Sequence, residues 1–425
     1  MNAPPPPAPA PEFPLDWCSR QFPALQRTVD GQPVAFFDGP SGSQVPQCVI
    51  DAVGRYLGNT NANRGGLYAT GRESDALLDA AHCVLADFVG ADSPEEIVFG
   101  GNMTSLTFAL SRALARTWTT HDEIIVTRLD HDANVTPWVL AAQDAGATVH
   151  YVRFRPEDCT LDLDDLRSKL GPRTRLVAVA AASNIVGTVN PLSEIARLVH
   201  DAGALLFVDA VHYAPHLLPD VRAWQCDFMA CSAYKFFGPH VGVLWARGDL
   251  LRSITPYKLR PVTETLPGRW MVGTQNHEGI AGAVAAVKYL ADLGRQVSGA
   301  SETASRREAL RHAYQAIGDY ERALGARFLA GLSQLPLLRV LGIVDPRRAD
   351  ERAPTFALTR DRRSPAEIAE RLGRSGIFVG HGNFYALQVT ESLGLEPNGV
   401  TRAGVMHYTS TQDVDRLLAG LRELE

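Results

Sequence analysis

Residues 226–239 read CDFMACSAYKFFGP, and this stretch decides the fold. Its first half, DFMACS (227–232), is a short, nearly unbroken apolar run. A run of that length reads as a strand buried on both faces. It ends at Lys235, an amine set among Tyr234, Phe236 and Phe237. Outward from it the same signal recurs in EIVF (96–99), EIIVT (123–127), TVHYV (148–152), RLVAVAA (175–181), LLFVDA (205–210) and VGVLW (241–245). Longer segments of helical period separate many of these runs. In 73–89, Ala76, Leu77, Ala80, Ala81, Val84, Leu85 and Phe88 recur at helical spacing. Segments 104–118, 135–145, 162–170 and 191–202 also read as helices. Alternation of this kind predicts an α/β fold, a mostly parallel sheet with helices on both faces.

The pattern changes near residue 270. Helical period dominates 279–294 and 302–334. Short strand candidates follow at 338–341, 354–359 and 402–407, with helices at 365–375 and 411–424. The expected organisation is a tail and arm over 1–33, a large domain over 34–270 and a smaller α+β domain over 271–425. Within the tail, APPPPAPAP (3–11) favours polyproline or disordered chain over helix or sheet.

Among 425 residues, Lys+Arg number 41 and Asp+Glu 47, a net charge of −6. That balance excludes a generally basic nucleic-acid surface. No run approaches 18 uninterrupted apolar residues, so no membrane span is expected. No charged and then apolar leader is visible, and the cytoplasm is the expected compartment. The six cysteines form no C-x-x-C pair and read as reduced, packed thiols. Only four lysines occur, Lys169, Lys235, Lys258 and Lys288, so amine chemistry has few candidates.

In an open α/β sheet, ligands sit at the carboxyl ends of strands. After EIVF comes Gly100-Gly101-Asn102-Met103-Thr104-Ser105, which opens a helix. Glycines, free helix N–H groups and hydroxyls make a phosphate cradle there, although a plain capped turn has the same letters. After EIIVT stands His131, a ring suited to stacking or proton transfer and equally to a structural role. Asn184 follows the fourth run. Asp209 ends LLFVD, where four apolar residues bury it and make a cationic partner necessary. Asp209, His212 and His216 mimic a metal triad, but Pro215 interrupts the helix such a triad needs, and no metal is expected. Lys235 is partly desolvated, which lowers its pKa and makes the amine nucleophilic. A cradle, a ring, a buried acid and a desolvated lysine on one sheet edge are the parts needed to hold pyridoxal 5'-phosphate.

At these residues the chain resembles the class V aminotransferase family of fold-type-I pyridoxal-phosphate enzymes, in its cysteine desulfurase and selenocysteine lyase branch. The resemblance runs from about Phe36 to the C-terminus. It is carried by FFDGPSGSQVP (36–46), NTNANRGG (59–66), the Thr104 turn, DHDAN (130–134), SNIVGTVNP (183–191), FVDAVH (207–212), the 226–239 stretch, GT (273–274) and TRAG (401–404). It implies a seven-stranded large domain and a smaller C-terminal domain. It also implies that Lys235 attaches the cofactor, Asp209 meets the pyridine nitrogen and His131 stacks on the ring. Asn184 and His212 would approach the 3-oxygen, where family members often carry Gln in place of His212. The Met103 backbone with Thr104, Ser232 and Tyr234 would hold the phosphate, Tyr234 standing where a histidine is common. Thr274 would reach the phosphate of a neighbouring subunit, implying a homodimer with a shared site. Arg402 would clamp the substrate carboxylate.

One departure matters. Desulfurases carry a sulfur-accepting cysteine on a C-terminal loop, and the corresponding stretch here, FVGHGNFYA (378–386), has none; no cysteine follows Cys231. His381 and Asn383, with Tyr385, are expected to face the substrate side chain, with Tyr68 and His277 as further candidates. The expected activity is C–S or C–Se lyase chemistry on a small amino acid without a persulfide cysteine. Transamination or epimerisation of another small amino acid is the alternative. A nicotinamide or flavin oxidoreductase would need G-x-G-x-x-G after the first strand, which is absent. A non-catalytic binding protein of this fold would be expected to have lost Lys235 or Asp209.

Overall fold

The computed structural model describes residues 13–299 and 304–424. The proline-rich stretch 3–11 lies outside the described residues. All seven apolar runs form strands of one sheet. They are β1 (Ile97–Gly100), β2 (Glu123–Thr127), β3 (Thr148–Val152), β4 (Thr174–Ala180), β5 (Leu205–Asp209), β6 (Phe228–Ser232) and β7 (Gly242–Ala246). Their order is β1-β7-β6-β5-β4-β2-β3. Only β7 runs antiparallel to its neighbours; the other pairings are parallel. β4 to β7 are buried almost throughout, because helices cover both faces and leave no polar side to alternate with. Each Val, Leu, Ile or Phe buried there contributes roughly 1.5–3 kcal/mol of transfer free energy.

The Ala69–Val89 helix begins four residues before the 73–89 pattern, and its buried face matches the expected stripe only in part. Ala76 and Ala80, expected on the apolar stripe, are exposed. Ala81, Val84, Leu85 and Phe88 of that stripe do turn inward, and Ser74, Leu78 and His82 join them. Two polar residues can lie on that face because each finds a partner. His82 Nδ1 lies 3.0 Å from the Ile97 carbonyl, and Ser74 Oγ 2.9 Å from the Tyr56 hydroxyl.

A second sheet contains β8 (Leu338–Leu341), β9 (Thr355–Arg360), β10 (Gly380–Gly382) and β11 (Val400–Gly404), ordered β8-β9-β11-β10 and antiparallel throughout. Its core gathers Leu324, Phe328, Phe356, Leu372, Val414 and Leu417, and Ala35 and Phe37 join it from the N-terminal region. The Arg306–Leu332 helix serves both cores, burying Leu310 and Ile317 in the first and Leu324 and Phe328 in the second. Among the described residues, no helix is long and apolar enough to cross a membrane.

The pairing register positions the site. At the carboxyl edge, Gly242 of β7 pairs with Ser232 on one side and Gly100 on the other. A Cβ on Gly242 would run into the Asn102 backbone. Glycine there lets the turn after β1 close onto the end of β6. Asp209 ends β5 between Ala180 and Ala230, two small neighbours that leave space above it.

Candidate active site

A cavity of about 550 Å3 opens at this edge. Met103, Thr104, His131, Asn184, Asp209, His212, Ser232, Tyr234 and Lys235 all line it. Nine residues picked from five strand ends thus meet in one place. Thr274 does not line it and lies exposed in the segment before the His277–Ser298 helix.

On the cradle side, Asn102 caps the Met103–Ala115 helix, its side chain accepting from the Ser105 N–H at 2.8 Å. The Met103 N–H donates to Ser232 Oγ at 2.9 Å, tying the helix start to β6. The helix N-terminus presents its positive end and its remaining N–H groups toward an anion. Tyr234 stacks on His240, with ring centroids 5.0 Å apart.

On the reactive side, Lys235 is buried and donates to the Pro40 carbonyl, a residue of the FFDGPSGSQVP stretch. Burial first, and then the Arg402 charge, pull its amine down to about 7, against the opposing pull of Asp209. The amine is therefore substantially neutral, and nucleophilic, at neutral pH. Burial raises Asp209 to about 6, opposed by the Val211 N–H, which donates to Oδ1 at 2.8 Å, and by Lys235. Burial, with Lys235 and Arg402 nearby, lowers His131 to about 4, so the ring is neutral. Its Nδ1 accepts from the Ala133 N–H at 3.0 Å, which leaves the proton on Nε2. His212 is held neutral chiefly by burial. Two buried acceptor-capable atoms in the cavity, Asn184 Oδ1 and His212 Nδ1, have no partner in the protein.

Arg402 reaches the site from β11. It donates to the Asn184 carbonyl at 2.7 Å and to Ser41 Oγ at 2.6 Å, and its guanidinium lies 3.6 Å from the Phe384 ring centroid. Burial lowers it to about 9, with Asp38 opposing; it stays charged at neutral pH. The 378–386 loop arches over this corner. Phe384 and Tyr385 both have positive φ, 53° and 59°. The Tyr385 ring stacks near His131 at 5.4 Å, and its carbonyl accepts from the Asp132 N–H at 2.7 Å. The Phe384 carbonyl accepts from Asn184 Nδ2 at 2.9 Å.

His381 and Asn383 are not among the cavity-lining residues. His381 is exposed on β10. Asn383 uses its amide inside the loop, donating to Glu396 at 3.1 Å and accepting from the Tyr385 N–H at 3.1 Å. His277 packs with Tyr56, 2.9 Å from its hydroxyl, and Tyr68 is exposed. Phe384, Ser41 and Pro40 were not singled out by sequence reasoning. The last two lie within a stretch that carried the resemblance, which was the available signal.

These residues fit pyridoxal phosphate. There is a capped helix start for the phosphate, a neutral histidine ring for the face, and a buried acid for the pyridine nitrogen. Two unpartnered polar atoms and a neutral lysine complete the set. The family model described as "Aminotransferase class-V" matches residues 35–312 and 303–417. A cysteine desulfurase of Dickeya dadantii (strain 3937) is 31% identical over 431 residues, covering 98% of each chain. The apo structure of the cysteine desulfurase from Thermococcus onnurineus NA1 superposes with a TM-score of 0.82 at 26% identity, covering 92% of this chain and 94% of that one. A mutant of C-DES with glycine covalently linked to the PLP cofactor superposes at 0.76 and 22% identity, covering 94% and 98%.

The chain belongs to the class V aminotransferase family. It is a pyridoxal-phosphate-dependent enzyme of the cysteine desulfurase-like kind, built on fold type I.

The lowered Lys235 pKa has a measurable consequence. Only the neutral amine condenses with an aldehyde. Cofactor capture by the apoprotein is expected to rise between about pH 6 and 8 and then level off, following the amine's value of about 7. An unburied lysine, titrating near 10.4, would give a rate still climbing above pH 9. Stopped-flow absorbance of pyridoxal phosphate mixed with apoprotein across that range separates the two.

Proposed function

We propose that this enzyme is a C–S or C–Se lyase that releases sulfide or selenide from cysteine or selenocysteine by β-elimination, without passing sulfur to a protein thiol. The observation that carries this reading is the content of the loop over His131 and Arg402. It presents Phe384 and Tyr385 and holds no cysteine.

Bound pyridoxal phosphate supplies an electron sink for the pair left on Cα when its proton is removed. Asp209 would keep the pyridine nitrogen protonated, its negative charge paired with that proton. His131 would stack on the ring, with Nε2–H available as a donor. Asn184 and His212 would approach the ring oxygen, His212 donating from Nδ1–H while its Nε2 accepts from the Thr355 hydroxyl, and the cradle with Thr104, Ser232 and Tyr234 would bind the phosphate. Arg402 clamps the substrate carboxylate, exchanging its present hydrogen bonds for a bidentate one. Lys235 takes the Cα proton. The β-substituent then departs with the C–S bonding electrons. With cysteine and water as reactants, the products are pyruvate, ammonia and sulfide. Asn383 holds the loop turn that brings Tyr385 over His131, at the side-chain end of the substrate.

Four of the six thiols support this reading through their surroundings. Cys18, Cys159, Cys226 and Cys231 are buried, and burial raises all four well above an ordinary thiol. A thiol so held supplies little thiolate. Replacing the six by serine, one at a time, is expected to leave sulfide release from cysteine within about twofold, once folded protein is compared. Loss of sulfide release in one folded variant, with a persulfide found on that cysteine in the parent, would refute the proposal.

We also infer a homodimer in which Thr274 completes the phosphate site of the partner. Thr274 is exposed, and Leu67, Tyr68, Tyr257 and Val272 are among the large apolar side chains that a partner would cover. Mixing Lys235→Ala with Thr274→Ala subunits is expected to restore one intact site per heterodimer. Activity of the mixture should then exceed the sum of the two variants measured apart. Full activity in a protein that sediments as a monomer would exclude the shared site.

A further inference from the structure

A second cleft lies away from the cofactor cavity, between the Arg306–Leu332 helix and the 345–354 segment. Its volume is about 300 Å3, the lower end of the range for small-molecule sites. The walls are largely apolar, and Leu217, Gly325, Leu329, Pro354 and Phe356 contribute to them. Two polar side chains in the lining have no place in the chemistry above. His216 and Glu321 are each 2% exposed. His216 Nδ1 lies 2.8 Å from Glu321 Oε2. His216 Nε2 and Glu321 Oε1 are buried and make no close hydrogen bond, the nearest donor to the carboxylate besides His216 being the His407 N–H. With Nδ1 donating to the carboxylate, a neutral His216 presents Nε2 as an acceptor, and a carboxylate accepts only. Both unmet atoms therefore call for a donor, and an unmet buried acceptor is costly. The neighbouring Arg352 does not answer them, because its guanidinium donates to the Ile343, Ala353 and Thr355 carbonyls.

The cleft is also linked to the cofactor cavity. The His216 ring packs edge-on against His212, with centroids 5.3 Å apart. His212 lines the cofactor cavity, and its Nε2 lies 2.9 Å from Thr355 Oγ1. Thr355 begins β9, two residues beyond Ala353 in the cleft wall.

We propose that this cleft is a second ligand site, taking a compact, mainly apolar molecule that carries an N–H or O–H donor for Glu321 and His216, and that its occupancy is sensed in the cofactor cavity through His216 and His212. The first half stands on the cleft alone. The second rests on the cofactor reading, and the experiment separates them.

Phenol is a suitable probe, since it has a ring, one donor and no amine to condense with the cofactor. Toluene is the same ring without the donor. Calorimetry on the holoenzyme should give one phenol per chain, with toluene about tenfold weaker, as expected when one hydrogen bond to a buried acceptor is lost. Ala326 and Ala330 are exposed residues of the cleft lining. Ala326→Trp should block phenol while leaving the cofactor absorption band unchanged, and Glu321→Leu should remove the preference over toluene. Phenol binding equally to Ala326→Trp, or no binding at millimolar probe, would overturn the site. In the parent, phenol should shift the cofactor band, and His216→Phe should abolish that shift. Binding at the cleft with an unmoved band in the parent would overturn the coupling.

Discussion

Lys235→Ala is expected to lose turnover by about 10⁴-fold or more, since in the proposed mechanism one side chain would supply both covalent attachment and Cα proton transfer. The loss should appear in kcat, because the Arg402 clamp and the phosphate cradle remain. Borohydride should fix the cofactor irreversibly on the Lys235 peptide of the parent protein and on no peptide of the variant. Physical chemistry singles this lysine out among four. Lys235 is buried with its amine lowered to about 7, whereas Lys169 is paired with Asp165 and Lys258 with Glu264. Borohydride labelling of Lys258 or Lys169 in the parent would refute the assignment.

Asp209→Asn is expected to lower kcat by about 10³-fold, the scale seen when one preorganised electrostatic contact is removed from a developing charge. Cofactor occupancy should fall far less. The amide is nearly isosteric and can still accept from the Val211 N–H, and the cradle contacts do not involve it. What the amide lacks is the charge that keeps the pyridine nitrogen protonated. Absorbance titration of cofactor, run beside steady-state kinetics, measures both quantities. A variant with near-normal kcat would remove Asp209 from the electron-sink role.

Much of the large sheet was legible because its strands are buried on both faces. That burial produces unbroken apolar runs such as LLFVD and DFMAC, which no surface strand would show. The residues following those runs were legible as a site for a related reason. Ligands gather at carboxyl ends, so Asp209, Lys235 and His131 could be read in place before any distance was known. The inner face of the Ala69–Val89 helix was legible at Ala81, Val84, Leu85 and Phe88 but not at Ser74 and His82, whose partners, Tyr56 and the Ile97 carbonyl, lie outside the helix. β10 gave no strand signal, since Gly380-His381-Gly382 has neither alternation nor a β-branched residue; its pairing to β11 comes from the tertiary fold. Short elements near the N-terminus, Leu15–Gln21 and Gln47–Arg55, also passed unread. The surroundings of Arg402 were beyond local reading. Its hydrogen bonds reach Asn184 and Ser41, 218 and 361 residues away in the chain. Likewise, the stacking of Tyr385 near His131 depends on two consecutive positive-φ residues, which the letters Phe and Tyr do not announce.

The central claim is that sulfur leaves without a protein acceptor. The most direct measurement gives the holoenzyme L-cysteine without added reductant, quantifies sulfide, pyruvate, ammonia and alanine together, and weighs the intact protein from the same reaction. Elimination predicts sulfide, pyruvate and ammonia in equal amounts, negligible alanine, and a protein mass with no added sulfur. Alanine matching the cysteine consumed, with a protein heavier by one sulfur atom, would contradict the account and identify a desulfurase with a relocated acceptor thiol.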